Sequence, residues 1–182
     1  MLGLLASWRR LSYHTAMTSL IVIAHNIRSI HNVGSIFRTC EGFGVEKLYL
    51  SGYTPYPSLP HDERPPHIRQ KLSAALAKTA LGAETMLPWQ HQPDPVPVLQ
   101  RYRSQGYTIA ALEQTPQAIL LPVYTPPQKL VLLLGEEVHG ISDDLLRHTD
   151  VAVEIPMVGG KESFNVSVAT GIALYAFLVA KP

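Results

Sequence analysis

Three short stretches hold most of the side chains able to do chemistry. In the first, Asn32 and Gly34 precede Arg38 within a polar turn that runs on into a helical pattern. The guanidinium of Arg38 is a planar fork of donors matched to a carboxylate or a phosphate. Inside an otherwise apolar helix such a group is costly unless it meets one, so this position reads as an anion contact, a structural salt bridge or a snorkelling side chain. In the second, the apolar run ending at Leu134 breaks into an acidic turn bracketed by Gly135 and Gly140, with Glu137 between them. Ligands of parallel α/β sheets bind just beyond the carboxyl ends of strands, where glycine lets backbone approach closely. The same pattern also makes a tight turn with Ser142 capping the next helix, and both readings can hold together. In the third, Ile155-Pro156-Met157 leads through Gly159 and Gly160 to Ser163 and Asn165, at the start of a nearly all-apolar helix. Free amides at such a start favour a polar or anionic guest, or simple capping.

The elements that must position these residues alternate in type. Strands are expected at 20–24, 47–51, 84–88, 107–112, 129–134 and 151–155, and helices at 33–42, 68–81, 96–104, 143–148 and 165–179. Such alternation implies parallel strands joined by helical crossovers, an α/β layer structure. The uninterrupted run Leu130 to Leu134 suits a strand covered on both faces. Prolines gather at 53–66, 92–97 and at Pro126 and Pro127, marking loops. The first of these loops mixes aromatic, basic and histidine side chains, a composition suited to a polyanion or to an ordinary solvated surface.

Composition narrows the possibilities further. The chain has 182 residues, 46% hydrophobic and 16% charged, with a formal net charge of +1. That describes one globular domain, expected over 18–182, without a basic coat for non-specific nucleic-acid binding. Cys40 is the only cysteine, so no intramolecular disulfide forms, and its place on an apolar helix face suits an inert core thiol. The longest apolar stretch, Val166 to Ala180, falls short of a bilayer span and reads as a buried core helix. Residues 1–16 contain Arg9 and Arg10 but no acid, and form either a targeting leader or a disordered tail. Gly42 and Gly44 begin a dinucleotide fingerprint, but Lys47 stands where its third glycine belongs. Gly160 and Lys161 are followed by Glu162, where a phosphate loop needs Ser or Thr. The eight histidines are scattered without cysteine partners, so no metal is expected.

Taken together and in this order, the three stretches resemble the motifs of the SpoU (TrmH-like) branch of the SPOUT RNA methyltransferases. The N-x-G-x-x-x-R motif matches Asn32, Gly34 and Arg38; G-x-E-x-x-G matches Gly135, Glu137 and Gly140; and the I-P-M … S-x-N-V-S-x-A motif matches Ile155 to Ala169. The resemblance spans roughly Ser19 to Val179, with Cys40 and Phe164 as apolar exchanges from the commonest pattern. It implies a parallel sheet flanked by helices with a C-terminal trefoil knot, S-adenosylmethionine held in the knotted region, and a homodimer whose active sites lie at or near the subunit interface. It also implies methylation of ribose 2′-hydroxyls. By the same resemblance Leu112, Gly135, Ile155, Met157 and Ser163 line the cofactor site. Arg38 would grip a phosphate and stabilise developing alkoxide charge, while Asn32, Glu137, Ser163 and Asn165 orient the ribose, Arg38 and the cofactor loop.

A cytoplasmic RNA enzyme without metal is the expectation, with no membrane partner. No separate N-terminal RNA-binding domain of the kind many ribosomal-RNA members carry is expected. That favours tRNA over rRNA, with Arg64, His67, Arg69 and Lys71 as phosphate contacts beside Arg38. Two other readings compete: a cofactor-binding RNA-binding module of the same fold without catalysis, and a nicotinamide-dependent oxidoreductase suggested by the α/β alternation alone.

Overall fold

The computed structural model describes residues 18–180; the expected leader therefore lies outside the described residues. Its frame is a seven-stranded, wholly parallel sheet in the order β3-β2-β1-β6-β4-β7-β5. The strands are β1 (Ser19–His25), β2 (Lys47–Ser51), β3 (Trp89–His91), β4 (Thr108–Leu112), β5 (Ile119–Leu120), β6 (Lys129–Leu134) and β7 (Val151–Glu154). The helices are α1 (Ile30–Gly42), α2 (Pro66–Ala80), α3 (Ala83–Met86), α4 (Val96–Ser104), α5 (Asp143–Leu146) and α6 (Val166–Leu178).

The central strands β1 and β6 are buried on both faces, as their unbroken aliphatic runs require. Side chains alternate across the sheet. Leu20, Val22, Leu132 and Leu134 join the core under α1, α2 and α6, while Ile21, Ile23, Val131 and Leu133 pack with Leu99, Tyr102 and Leu145 of α4 and α5. Because all strands run one way, their carboxyl ends at His25, Ser51, Leu112, Leu134 and Glu154 share one edge of the sheet.

Three local expectations change. The stretch 84–88, expected as a strand, is instead the single turn α3, and the strand shifts to Trp89–His91. The chain leaves α2 through Leu81 and Gly82, both left-handed, and the Glu84 carboxylate accepts the Gly82 N–H at 3.0 Å; this starts a turn where the sequence pattern suggested a strand. Helix α1 begins three residues earlier than its apolar pattern, because the Ser29 hydroxyl caps it by accepting the Asn32 N–H at 3.3 Å. Helix α6 is buried on one face only. Thr170, Ala173, Leu174 and Phe177 are inside, while Val168 and Tyr175 are 50% and 54% exposed. One stripe of α6 packs on α1 and the sheet, and the other has no covering within the described residues. No helix among the described residues is long and apolar enough to cross a membrane.

Candidate active site

The three motifs meet at the carboxyl edge of the sheet because each follows a strand that ends there. Asn32 is the residue that joins them. Its side-chain amide donates to Glu137 Oε1 at 3.0 Å, and its carbonyl oxygen accepts from Asn165 Nδ2 at 3.1 Å. Glu137 also accepts the backbone N–H groups of Arg28 and Ser29, at 3.1 and 3.2 Å. Asn165 in turn caps α6, accepting the Ser167 N–H at 2.9 Å and the Ser167 hydroxyl at 2.7 Å. Partial burial pushes the Glu137 carboxyl up, but the donated hydrogen bonds outweigh it and hold the group below its ordinary value. A chain of three side chains therefore ties together loops more than a hundred residues apart.

Two motif glycines have structural reasons. A Cβ on Gly34 would sit 2.6 Å from the Leu76 carbonyl oxygen, so glycine sets the close crossing of α1 and α2. Gly140 has a φ of +67° and closes a bridge with Glu136, with N–H···O distances of 3.0 and 3.1 Å. The turn ends at Ser142, whose hydroxyl caps α5 by accepting the Leu145 N–H. The capping and cavity-wall readings of this stretch both hold.

Beside this network lies a cavity of about 320 Å³ at the ends of β4, β6 and β7. Leu112, Gly135, Ile155, Met157 and Ser163 all line it, and so does Glu137. Sequence reasoning did not single out Glu113, which holds the far wall. Its Oε2 accepts the Ile141 N–H at 2.8 Å and its Oε1 the Gln114 N–H at 3.0 Å, while the Gln114 amide donates to the Glu162 carbonyl at 2.9 Å. Nothing in the spacing marks Glu113, since it directly follows a strand and belongs to none of the motifs.

The chemistry of the lining selects among guests. The lining combines aliphatic residues such as Leu112, Leu134, Val153 and Ile155 with the acidic residues Glu113, Glu136, Glu137, Glu154 and Glu162. Such a slot suits a small ligand with an apolar body and positive charge, and repels the pyrophosphate of a dinucleotide. S-adenosylmethionine, with its sulfonium and ammonium groups, fits this donor set. No group of three or more His, Cys, Asp or Glu side chains arranged to hold a metal ion occurs among the described residues.

Arg38 is not part of this cavity. It lies on the outer face of α1, exposed, with no hydrogen bond or salt bridge among the described residues. The burial cost expected from the apolar helix pattern therefore does not arise, because the buried stripe is Val33, Gly34, Ile36, Phe37 and Cys40. Cys40 is fully buried, which pushes its thiol well above the ordinary range. The expected phosphate contacts also divide. Arg64 is committed internally: it forms a two-pronged salt bridge to Asp62 at 2.5 and 2.8 Å, donates to the Tyr56 and Pro57 carbonyls, and holds the Asp62 carboxyl well below its usual range. His67 and Lys71 are exposed on α2, whereas Arg69 has its Nε shielded from solvent without a partner.

Residues 19–175 match the family model described as SpoU rRNA Methylase. The tRNA (guanosine(18)-2′-O)-methyltransferase of Aquifex aeolicus is 31% identical over 156 residues, covering 86% of this chain and 67% of that protein. The crystal structure of the A. aeolicus TrmH/SpoU tRNA modifying enzyme aligns with a TM-score of 0.69 at 28% identity, covering 87% of this chain and 73% of that one. An AdoMet-bound rRNA methyltransferase from Sinorhizobium meliloti shares the fold, with a TM-score of 0.71 at 22% identity; the alignment covers 88% of this chain and only 56% of that one.

Proposed function

Since the chain belongs to the SpoU rRNA methylase family, we propose that it transfers the methyl group of S-adenosylmethionine to a ribose 2′-hydroxyl of RNA, with transfer RNA as the substrate class. The observation that carries this reading is the Asn32, Glu137 and Asn165 network, which closes all three motifs around one acid-rimmed cavity. The name of the Aquifex aeolicus relative supports the choice of transfer RNA. Residues 18–182 act as one methyltransferase domain, and the cytoplasm is the proposed site of action.

When bound, S-adenosylmethionine supplies a methyl group already activated by the sulfonium. The residues are left with alignment, stabilisation of the oxygen nucleophile and exclusion of water. Leu112, Ile155 and Met157 offer apolar contact to the donor, and Gly135 and Ser163 offer backbone and hydroxyl groups. Asn32, Glu137 and Asn165 act as positioning residues, because their polar atoms are already bonded to one another. Arg38 keeps its fork free for the substrate phosphate and the developing alkoxide. A guanidinium stays protonated and is a poor base, so its contribution is electrostatic.

We propose that the chain forms a homodimer through the uncovered stripe of α6. Val168 and Tyr175 lie on the uncovered stripe of α6, and Gly171 of that helix faces Thr39, the neighbour of Arg38 on α1. A second copy covering this stripe buries the exposed apolar groups and brings Arg38 to the seam. Val168→Glu places a charge in that seam and is expected to weaken the dimer at least about 30-fold, with turnover lost in parallel. Light scattering coupled to size exclusion checks it, and a wild-type protein that is monomeric at micromolar concentration removes the dimer from the account.

The function itself is tested by mapping 2′-O-methylated nucleotides by mass spectrometry in RNA from cells with and without the protein. Loss of a ribose methyl mark from a transfer RNA is the expected result, restored in vitro by purified protein and S-adenosylmethionine. An unchanged methylation map, together with no transfer to bulk RNA in vitro, would refute the proposal.

A further inference from the structure

A second cavity, of about 600 Å³, opens on the same edge of the sheet, beyond β1, β2 and β3. Arg28, Tyr53, Tyr56, Arg64 and His91 line it. Its walls are built in advance. The Arg64 guanidinium lies 3.6 Å over the Tyr56 ring, and that ring stacks on His91 with centroids 3.9 Å apart and planes 21° from parallel. Burial holds the His91 imidazole below its ordinary pKa, which favours a neutral flat ring near pH 7. The Thr54 hydroxyl donates to the Ala24 carbonyl and accepts the Ile27 N–H, both at 3.0 Å, while the Tyr53 N–H donates to Asn26 Oδ1 at 3.2 Å. This loop is therefore fixed, yet the Tyr53 side chain remains 53% exposed.

The two cavities share a thin wall. Glu137 lines the first cavity and accepts the backbone N–H of Arg28, which lines the second. Their electrostatics are opposed. Carboxylates rim the first cavity, whereas the second presents three aromatic rings and the Arg28 guanidinium, with Arg64 and the neighbouring Asp62 paired to each other. In a ribonucleotide the base hangs from C1′ and the reacting hydroxyl from the adjacent C2′. Whatever places that oxygen at the methyl-donor cavity must also place the base immediately beside it.

We propose that this second cavity receives the base of the nucleotide to be methylated, turned out of the RNA and stacked on Tyr53, with Arg28 as the donor to its edge or phosphate. The inference rests on the methyltransferase reading and adds where the target base sits. A base extruded from its helix loses stacking partners, and an aromatic platform returns them.

The test uses the full-length protein, its Tyr53→Ala and Tyr53→Phe variants, unfractionated transfer RNA and S-adenosylmethionine. Tyr53→Ala is expected to raise the KM for RNA about ten- to a hundred-fold. Tyr53→Phe stays within about three-fold of wild type, because the face of the ring does the binding. S-adenosylmethionine affinity, measured by calorimetry, is expected to be unchanged in both. A Tyr53→Ala variant with the wild-type KM overturns the inference while leaving the methyltransferase reading intact. A parallel loss of S-adenosylmethionine affinity in that variant also overturns it, since the ring would then be acting on the methyl-donor cavity and not on the base. Wild-type protein that neither binds S-adenosylmethionine nor methylates RNA refutes the methyltransferase reading itself, and the base site with it.

Discussion

Arg38→Lys is expected to lower turnover by about two to three orders of magnitude while S-adenosylmethionine affinity stays within about two-fold of wild type. The substitution keeps the charge and removes the planar fork. Lysine can attract a phosphate as a point charge, but it cannot hold a phosphate and a developing alkoxide together in a fixed plane. The cofactor should not register the change, because Arg38 does not line the cavity of its own chain. Stability should not register it either. The side chain is exposed and has no partner among the described residues, so the melting free energy is expected to move by no more than about 0.5 kcal/mol. Single-turnover kinetics with saturating donor separate the chemical step from binding. Near-normal turnover would remove Arg38 from the chemistry and leave it a surface residue.

The second large effect is expected at Glu137. In Glu137→Gln the side chain keeps one acceptor oxygen and turns an amide NH₂ toward a group that is itself a donor. With its oxygen at the Oε1 place the glutamine keeps weaker, neutral bonds from the Ser29 N–H and the Asn32 amide, while the Arg28 N–H meets an NH₂ group instead of an acceptor. Loss of this charge-assisted set costs about 1.5 to 3 kcal/mol, a fall in Tm of roughly 4 to 10 °C for a chain of this size. Activity should fall further than stability, because Asn32 also holds Asn165 and through it the start of α6. The pH dependence follows from the direction of the shift. The folded carboxyl titrates below its ordinary value of 4.5. Its contribution is therefore fully present above that value and is lost as pH falls through the lower folded value. Wild-type Tm should drop across this acid window, and the drop should be smaller in Glu137→Gln. Parallel Tm profiles in the two proteins would show that the carboxylate is not the stabilising group.

The base-site inference and the Arg38 expectation divide substrate recognition between two surfaces. One is the preformed aromatic cavity beside β1 to β3, which belongs to a single chain. The other is the outer face of α1, completed in the proposed dimer by a second copy. Weakening the dimer through Val168→Glu should therefore depress turnover without altering how nucleotide bases meet Tyr53. That separation would not exist if both functions shared one loop.

Much of the frame is legible in residue order. The unbroken runs Leu20 to Ala24 and Leu130 to Leu134 can only be comfortable with both faces covered, and they form the two central strands. Val96–Ser104 forms a helix over the span its pattern indicates. The misplaced strand at 84–88 shows the limit of apolar spacing, since a left-handed exit from α2 and one carboxylate bond turn that segment into a helical turn. The uncovered stripe of α6 has the same cause. An all-apolar helix reads as buried on every side, and composition does not tell covering by the same chain from covering by another.

By itself, the order of residues determined an α/β frame, three loops at strand ends and the side-chain types those loops carry. Tertiary structure alone decided that Asn32 bridges Glu137 and Asn165, that Arg64 is spent on Asp62, that Arg38 faces outward and that an aromatic cavity stands beside an acidic one. The physical reason is that a strand's pattern records which of its faces are buried and not which strand lies beside it. The neighbours of a loop follow from the sheet order, and that order is settled only when distant segments compete to pair and pack in three dimensions.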